Sequence, residues 1–106
     1  MTKEEYGRLH TDLGFAFSLY VAAHLNSPLQ EHLTNETALV FQTDDPDFNA
    51  YELEFAKQCR EHDDNPDRPV TLIYVRVPHA PSVEDVDWSQ AKVLARLVIK
   101  ADPAQV

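Results

Sequence analysis

The first quarter of the chain carries a helical hydrophobic pattern. Leu9, Leu13 and Phe17 recur at four-residue spacing, which places their side chains on one face of a helix. Thr2 followed three residues later by Glu5 is a capping-box pattern, and it predicts that the helix begins there. The pattern continues for about 24 residues, so the predicted helix is about 36 Å long.

The second half of this predicted helix is apolar on both sides. A three-stranded sheet with one other helix covers only one side, and monomeric proteins avoid large exposed apolar patches. We therefore expect a homodimer in which two copies of the helix pack across a two-fold axis. The alternative is that residues 82–101 form a helix that covers the same side within one chain. The predicted dimer interface consists of Phe15, Leu19, Ala22 and Ala23.

The middle of the chain has the pattern of a strand, a helix and a second strand. Residues 37–43 form a short apolar run, and residues 46–61 repeat apolar side chains at helical spacing. Residues 70–77 are apolar on both faces, as in a strand at the centre of a sheet. Two strands joined by one helix predict a right-handed βαβ unit with parallel strands.

The C-terminal third fits either a strand or a helix. Residues 91–101 alternate and are rich in β-branched side chains, which favours a strand over a helix spanning residues 82–101. Such a strand would pair antiparallel with residues 70–77. A short helix is also predicted over residues 28–33. The predicted fold is a single α+β domain over residues 1–106, in which a three-stranded mixed sheet packs against the long N-terminal helix and a second helix.

Negative charge is concentrated in the middle of the sequence. The chain has 106 residues and a net charge of −9, and residues 31–67 alone hold eleven acidic and two basic side chains, which is again −9. Such a surface repels nucleic acid and anionic membranes, so we expect neither as a direct partner. It suits either solubility alone or the docking of a basic protein. The candidate partner-binding residues are Asp44, Asp45, Asp47, Glu52, Asp63 and Asp64.

Two functional hypotheses follow from this pattern. The leading one is a small acidic interaction module, such as an inhibitor, an immunity-type protein or an accessory protein, that engages a basic partner through residues 31–67. Helix initiation alone explains two of the acids, because Asp45 suits an N-cap and Asp47 the first turn. The alternative is a small enzyme or ligand-binding protein with a crevice near Asp44 and His79, where parallel strands end. Exposed aromatic side chains beside the acidic surface favour the first hypothesis, and aromatic side chains lining a crevice favour the second.

No cofactor or metal site is predicted. Counted from Asp44, the acidic segment has Asn49 where a calcium loop needs glycine and Phe55 where it needs glutamate. The lone cysteine, Cys59, falls on the predicted inner face of its helix and is expected in the core, whereas His10 is expected to be exposed. The most apolar stretch has 11 residues, against about 20 for a membrane-spanning helix. Without a signal-peptide pattern, the chain is expected to be soluble and cytoplasmic.

Overall fold

Two helices and three strands form the described part of the protein. A computed structural model describes residues 1–29, 38–62, 64 and 67–98. The predicted short helix over residues 28–33 lies mostly outside them. The elements, in chain order, are α1 (Lys3–Ala23), β1 (Ala38–Gln42), α2 (Pro46–Glu61), β2 (Val70–Tyr74), a 3-10 turn (Trp88–Gln90) and β3 (Lys92–Leu97).

The three strands form one mixed sheet in the order β1-β2-β3. β1 and β2 are parallel, with Ala38 opposite Val70 and Gln42 opposite Tyr74. β3 runs antiparallel to β2, with an irregularity in register between Leu72 and Ile73. β2 is therefore the central strand, as its apolar pattern predicts. The predicted α+β fold, with its βαβ unit and antiparallel C-terminal strand, is confirmed.

The start of α1 follows its sequence signal. The Thr2 hydroxyl accepts the Glu5 N–H at 3.1 Å, and the Glu5 carboxylate accepts the Thr2 N–H at 3.0 Å. These two bonds satisfy donors that the first turn of a helix leaves without partners. The buried stripe of the helix then packs against side chains of the sheet, of α2 and of the 3-10 turn before β3. The core side chains are Leu9, Leu13, Phe17, Val21, Phe41, Phe48, Ile73, Val75 and Trp88.

The described residues leave the opposite side of α1 exposed. Phe15 is 68% exposed and Leu19 is 56% exposed, and Ala22 and Ala23 are exposed as well. The alternative in which a C-terminal helix covers this side is wrong, because Lys92–Leu97 is a strand paired with β2. The homodimer through this face stays a prediction.

The start of α2 also follows its sequence signal. One carboxylate oxygen of Asp45 accepts the N–H groups of Asp47 at 2.9 Å and Phe48 at 3.4 Å, and Pro46 occupies the first helical position. The Thr43 hydroxyl in turn accepts the Asp45 N–H at 3.1 Å. The turn from β1 into α2 is therefore fixed by side-chain bonds to the backbone, and this fixes where the neighbouring carboxylates lie.

Candidate functional site

The carboxyl ends of β1 and β2 meet at the acidic end of the molecule. Asp44, two residues beyond the end of β1, accepts a hydrogen bond of 2.7 Å from the hydroxyl of Tyr74, the last residue of β2. This hydrogen bond, followed by partial burial and the carboxylate's charge, raises the pKa of Tyr74 above its ordinary value. Asp44 and Asp47 are exposed, and Asp45 is half-buried because it caps α2. Three carboxylates thus lie within one turn of the helix start.

The first turn of α1 lies beside this end of α2. Burial is the main cause that raises the pKa of Tyr6, and the negative charges of Asp45 and Asp47 raise it further. The lack of a side chain at Gly7 permits this approach, because a Cβ there would stand 3.3 Å from the hydroxyl of Tyr51. The aromatic rings on the two helices are therefore held close to the carboxylates of α2.

An aromatic row runs along the surface between α1 and α2. The ring centroids of Tyr6 and Tyr51 are 5.5 Å apart, and the rings of Tyr51 and Phe55 are stacked at 6.1 Å. Phe55 is 38% exposed. The row borders an open hollow of about 620 Å³ that Asp47 and Glu54 also line. We call this set the acidic-aromatic surface; its residues are Tyr6, Asp44, Asp45, Asp47, Tyr51, Glu54 and Phe55.

Glu52, a predicted partner-binding residue, does not belong to that surface because it is buried. Its side chain is 1% exposed because it lies one turn after Phe48, on the buried stripe of α2. One carboxylate oxygen, Oε1, accepts the Phe41 N–H at 3.0 Å and lies 2.9 Å from Nδ1 of His10. His10, expected to be exposed, is half-buried as part of this pair. The four-residue spacing from Phe48 to Glu52 is the sequence signal for this burial.

A second cavity opens where Glu52 and His10 meet. It has a volume of about 400 Å³ and lies between α1, α2 and β1, with Phe41 and Phe55 on its wall. Cys59 also lines it and is exposed, so the prediction that the thiol lies in the core is wrong. We call this space the Glu52 cavity.

The crevice predicted from Asp44 and His79 is not assembled. His79 pairs with Asp85 at 3.2 Å, and both side chains are well exposed. Asp44 is bonded to Tyr74 instead, and the small cavity of about 220 Å³ beside Asp44 does not include His79. The strand ends converge as the topology requires, but the proline-rich loop after β2 carries the imidazole to another partner.

The structure also bears on the two remaining predicted residues and on metal sites and membrane-spanning helices. Asp64 is exposed, and Asp63 lies outside the described residues. No group of three or more side chains suited to hold a metal ion occurs in the described parts of the chain. Among the same residues, neither helix combines the length and the apolar character that a membrane crossing requires.

Comparison with known proteins finds no relative of this chain. No protein-family model, no curated protein and no solved structure matches the chain.

Proposed function

We propose that the protein is a small interaction module that docks a basic protein partner through the acidic-aromatic surface. The observation that carries this proposal is the aromatic row of Tyr6, Tyr51 and Phe55 beside the carboxylates of Asp47 and Glu54. Carboxylates attract and orient a basic partner, whereas large aromatic side chains supply contact area and anchor it. The combination favours the docking hypothesis over the crevice hypothesis.

The charge distribution supports a protein partner in preference to a nucleic acid. Asp44, Asp47 and Glu54 are exposed, and their charges repel phosphates. The same charges speed the approach of a positively charged protein, and this effect weakens as salt screens exposed charges over about 8 to 10 Å. Blocking a nucleic-acid site on another protein is one form of this function. The cytoplasmic location expected from the sequence stays a prediction.

Affinity capture with matched variants tests the proposal. The double variant Asp47→Asn/Glu54→Gln removes two charges from the acidic-aromatic surface, and the control Glu84→Gln/Asp85→Asn removes two exposed charges from the loop after β2. We expect a basic protein to be captured by the wild type and by the control but lost with Asp47→Asn/Glu54→Gln. Tyr51→Ala should weaken the same capture. A partner that binds all variants alike, or equally at low and high salt, would contradict the proposal.

The exposed side of α1 supports a second proposal, that two copies associate through Phe15 and Leu19. Their side chains are more than half exposed, and packing two such helices across a two-fold axis would bury them. Light scattering should then give about twice the mass of the 12.1 kDa chain. Leu19→Glu should restore the monomer mass. Leu94→Glu, the same change at an exposed leucine of β3, should not, and a monomeric wild type would exclude the dimer.

A further inference from the structure

One buried carboxylate oxygen of Glu52, a residue of the Glu52 cavity wall, has no well-aligned hydrogen-bond donor among the described residues. Oε2 of Glu52 lies 2.7 Å from Nδ1 of His10, yet no donor among the described residues bonds it with good geometry. Oε1 of the same carboxylate accepts the Phe41 N–H, and it is also the oxygen that has hydrogen-bond geometry with Nδ1 of His10. A buried polar atom without a partner is costly and uncommon in folded proteins. The site therefore suits a further hydrogen-bond donor.

The surroundings of Oε2 define the chemistry of that donor. The carboxylate makes a charged donor more favourable than a neutral one, because charge-assisted hydrogen bonds are about twice as strong as neutral ones. The walls are apolar or aromatic: Leu39, Val40 and Phe41 come from β1, and Phe55 from α2. Such walls suit a short aliphatic stem, and aromatic faces attract a cation within about 6 Å. An alkyl chain that ends in a cationic N–H group matches both features.

Arg60 is the one basic side chain of α2 on the cavity wall. It lies eight residues after Glu52, which is about 12 Å along the helix axis. Its guanidinium donates to the Arg68 carbonyl and is thereby held towards the loop before β2. A cation that enters beside His10 and Phe55 therefore meets the carboxylate at the opposite end from Arg60.

We propose that the Glu52 cavity receives an arginine side chain of the basic partner; this inference rests on the docking function proposed above. Phe55 lines both the cavity and the hollow beside the aromatic row, so a chain lying on the acidic-aromatic surface passes the cavity mouth. Arginine fits better than lysine because its guanidinium is weakly hydrated and stacks on aromatic rings. A volume of about 400 Å³ lies within the usual range for ligand pockets.

The first experiment uses a free probe in place of the partner. Nα-acetyl-arginine methylamide is titrated into the ¹⁵N-labelled full chain, and amide shifts are followed by NMR. We expect saturable shifts at Phe41 and around Phe55, and no saturable shifts with Nα-acetyl-norleucine methylamide, which has an apolar stem without the charge. Glu52→Gln keeps the side-chain shape and should weaken binding about ten- to a hundredfold, as expected for the loss of a hydrogen bond to a charged group. Equal shifts with both probes, or with Glu52→Gln, would overturn the inference.

A second variant tests the same site in case Glu52→Gln does not fold. Gly14 lines the cavity on the α1 side, and a Cβ there would meet no atom within 4 Å. Gly14→Leu should therefore fill the mouth of the cavity while α1 stays folded, and it should abolish the arginine-dependent shifts. Shifts that persist unchanged in a folded Gly14→Leu protein would place the probe elsewhere and overturn the inference.

Parallel measurements with a tetra-arginine peptide separate this inference from the docking function. If Asp47→Asn/Glu54→Gln weakens peptide binding but Glu52→Gln and Gly14→Leu do not, the docking surface stands and the cavity proposal falls. If the free arginine probe binds in a Glu52-dependent manner but Asp47→Asn/Glu54→Gln leaves partner capture unchanged, the cavity site stands and the docking function falls. Loss of binding in all three variants supports both the docking function and the cavity site.

Discussion

The two outer strands of the sheet are protected in different ways. On β1, side chains of α2 cover the edge that faces away from β2: Glu52 accepts the Phe41 N–H, and Asn49 bonds Thr43. On β3, exposed aliphatic and basic side chains alternate instead, with Leu94 54% exposed and Lys92 and Arg96 also exposed. Charged side chains on an edge strand oppose unwanted pairing with another sheet.

At the covered edge of β1, side chains of α2 make the hydrogen bonds that a neighbouring strand would otherwise make. Phe41 and Thr43 are two residues apart, so their N–H groups point to the same side. Oδ1 of Asn49 accepts the Thr43 N–H at 2.6 Å, and Nδ2 of Asn49 donates to the Thr43 carbonyl at 2.8 Å. Glu52 supplies the next acceptor along the edge. Glu52, a polar residue on the inner face of α2, therefore serves as a hydrogen-bond partner of the backbone, which explains why it is buried. Mutations at the covered edge of β1 should consequently lower the free energy of unfolding more than mutations at the edge of β3.

The largest effect is expected for Glu52→Ala. The substitution leaves the Phe41 N–H without its acceptor and removes the partner of His10, which together should destabilise the protein by about 3 kcal/mol. Chemical denaturation of the full chain measures this. Glu54→Ala, two positions along the same helix but exposed, should change the free energy of unfolding by less than about 0.5 kcal/mol. Similar midpoints for the two variants would show that the buried carboxylate does not support the edge.

Asn49→Ala should have the next largest effect. It removes both bonds to the Thr43 backbone and leaves a backbone donor and a backbone acceptor without these partners, at a cost of about 2 kcal/mol. Hydrogen exchange at the Thr43 amide should accelerate in parallel, because this amide loses its acceptor. Gln58→Ala on the exposed side of α2 is the control. Unchanged exchange at Thr43 would contradict the proposed protection of the edge.

Asp45→Ala should cost about 0.5 to 2 kcal/mol, the usual range for loss of an N-cap. Asp45 accepts two N–H groups at the start of α2, so its removal loosens the turn that places Asn49 against β1. The midpoint of denaturation measures the change, with the exposed Asp64→Ala as the control. If Asp45→Ala proves as stable as the wild type, the start of α2 does not depend on this cap.

The smallest effect is expected on β3. Leu94 is exposed, so Leu94→Lys should change the free energy of unfolding by less than about 0.5 kcal/mol. It should also leave the mass measured by light scattering unchanged, since the proposed dimer uses α1. A loss of more than about 1 kcal/mol would mean that Leu94 packs against another group in solution, and the contrast between the two edges would then fail.

The sequence by itself determined the elements and their order. The caps at Thr2 and Asp45, the stripe of α1 and the apolar pattern of β2 depend on residues within a few positions of one another, so local spacing was enough to predict them. The parallel pairing of β1 and β2 followed from the connecting helix, because a crossover of this length leaves few other arrangements. Alternation and β-branched content over residues 91–101 favour a strand over a helix, and the strand found there spans Lys92–Leu97.

Only the tertiary structure decided which polar groups meet. His10 and Glu52 are 42 residues apart, and their contact depends on how α1 lies across α2 and β1. Cys59 is exposed, Asp44 meets Tyr74 at the ends of the paired strands β1 and β2, and His79 pairs with Asp85 within the loop after β2. Helical spacing fixes which side of a helix a residue lies on, but the rotation of the helix against its neighbours fixes which residues on that side are buried. That rotation is set by the packing of the whole core, which local patterns do not specify.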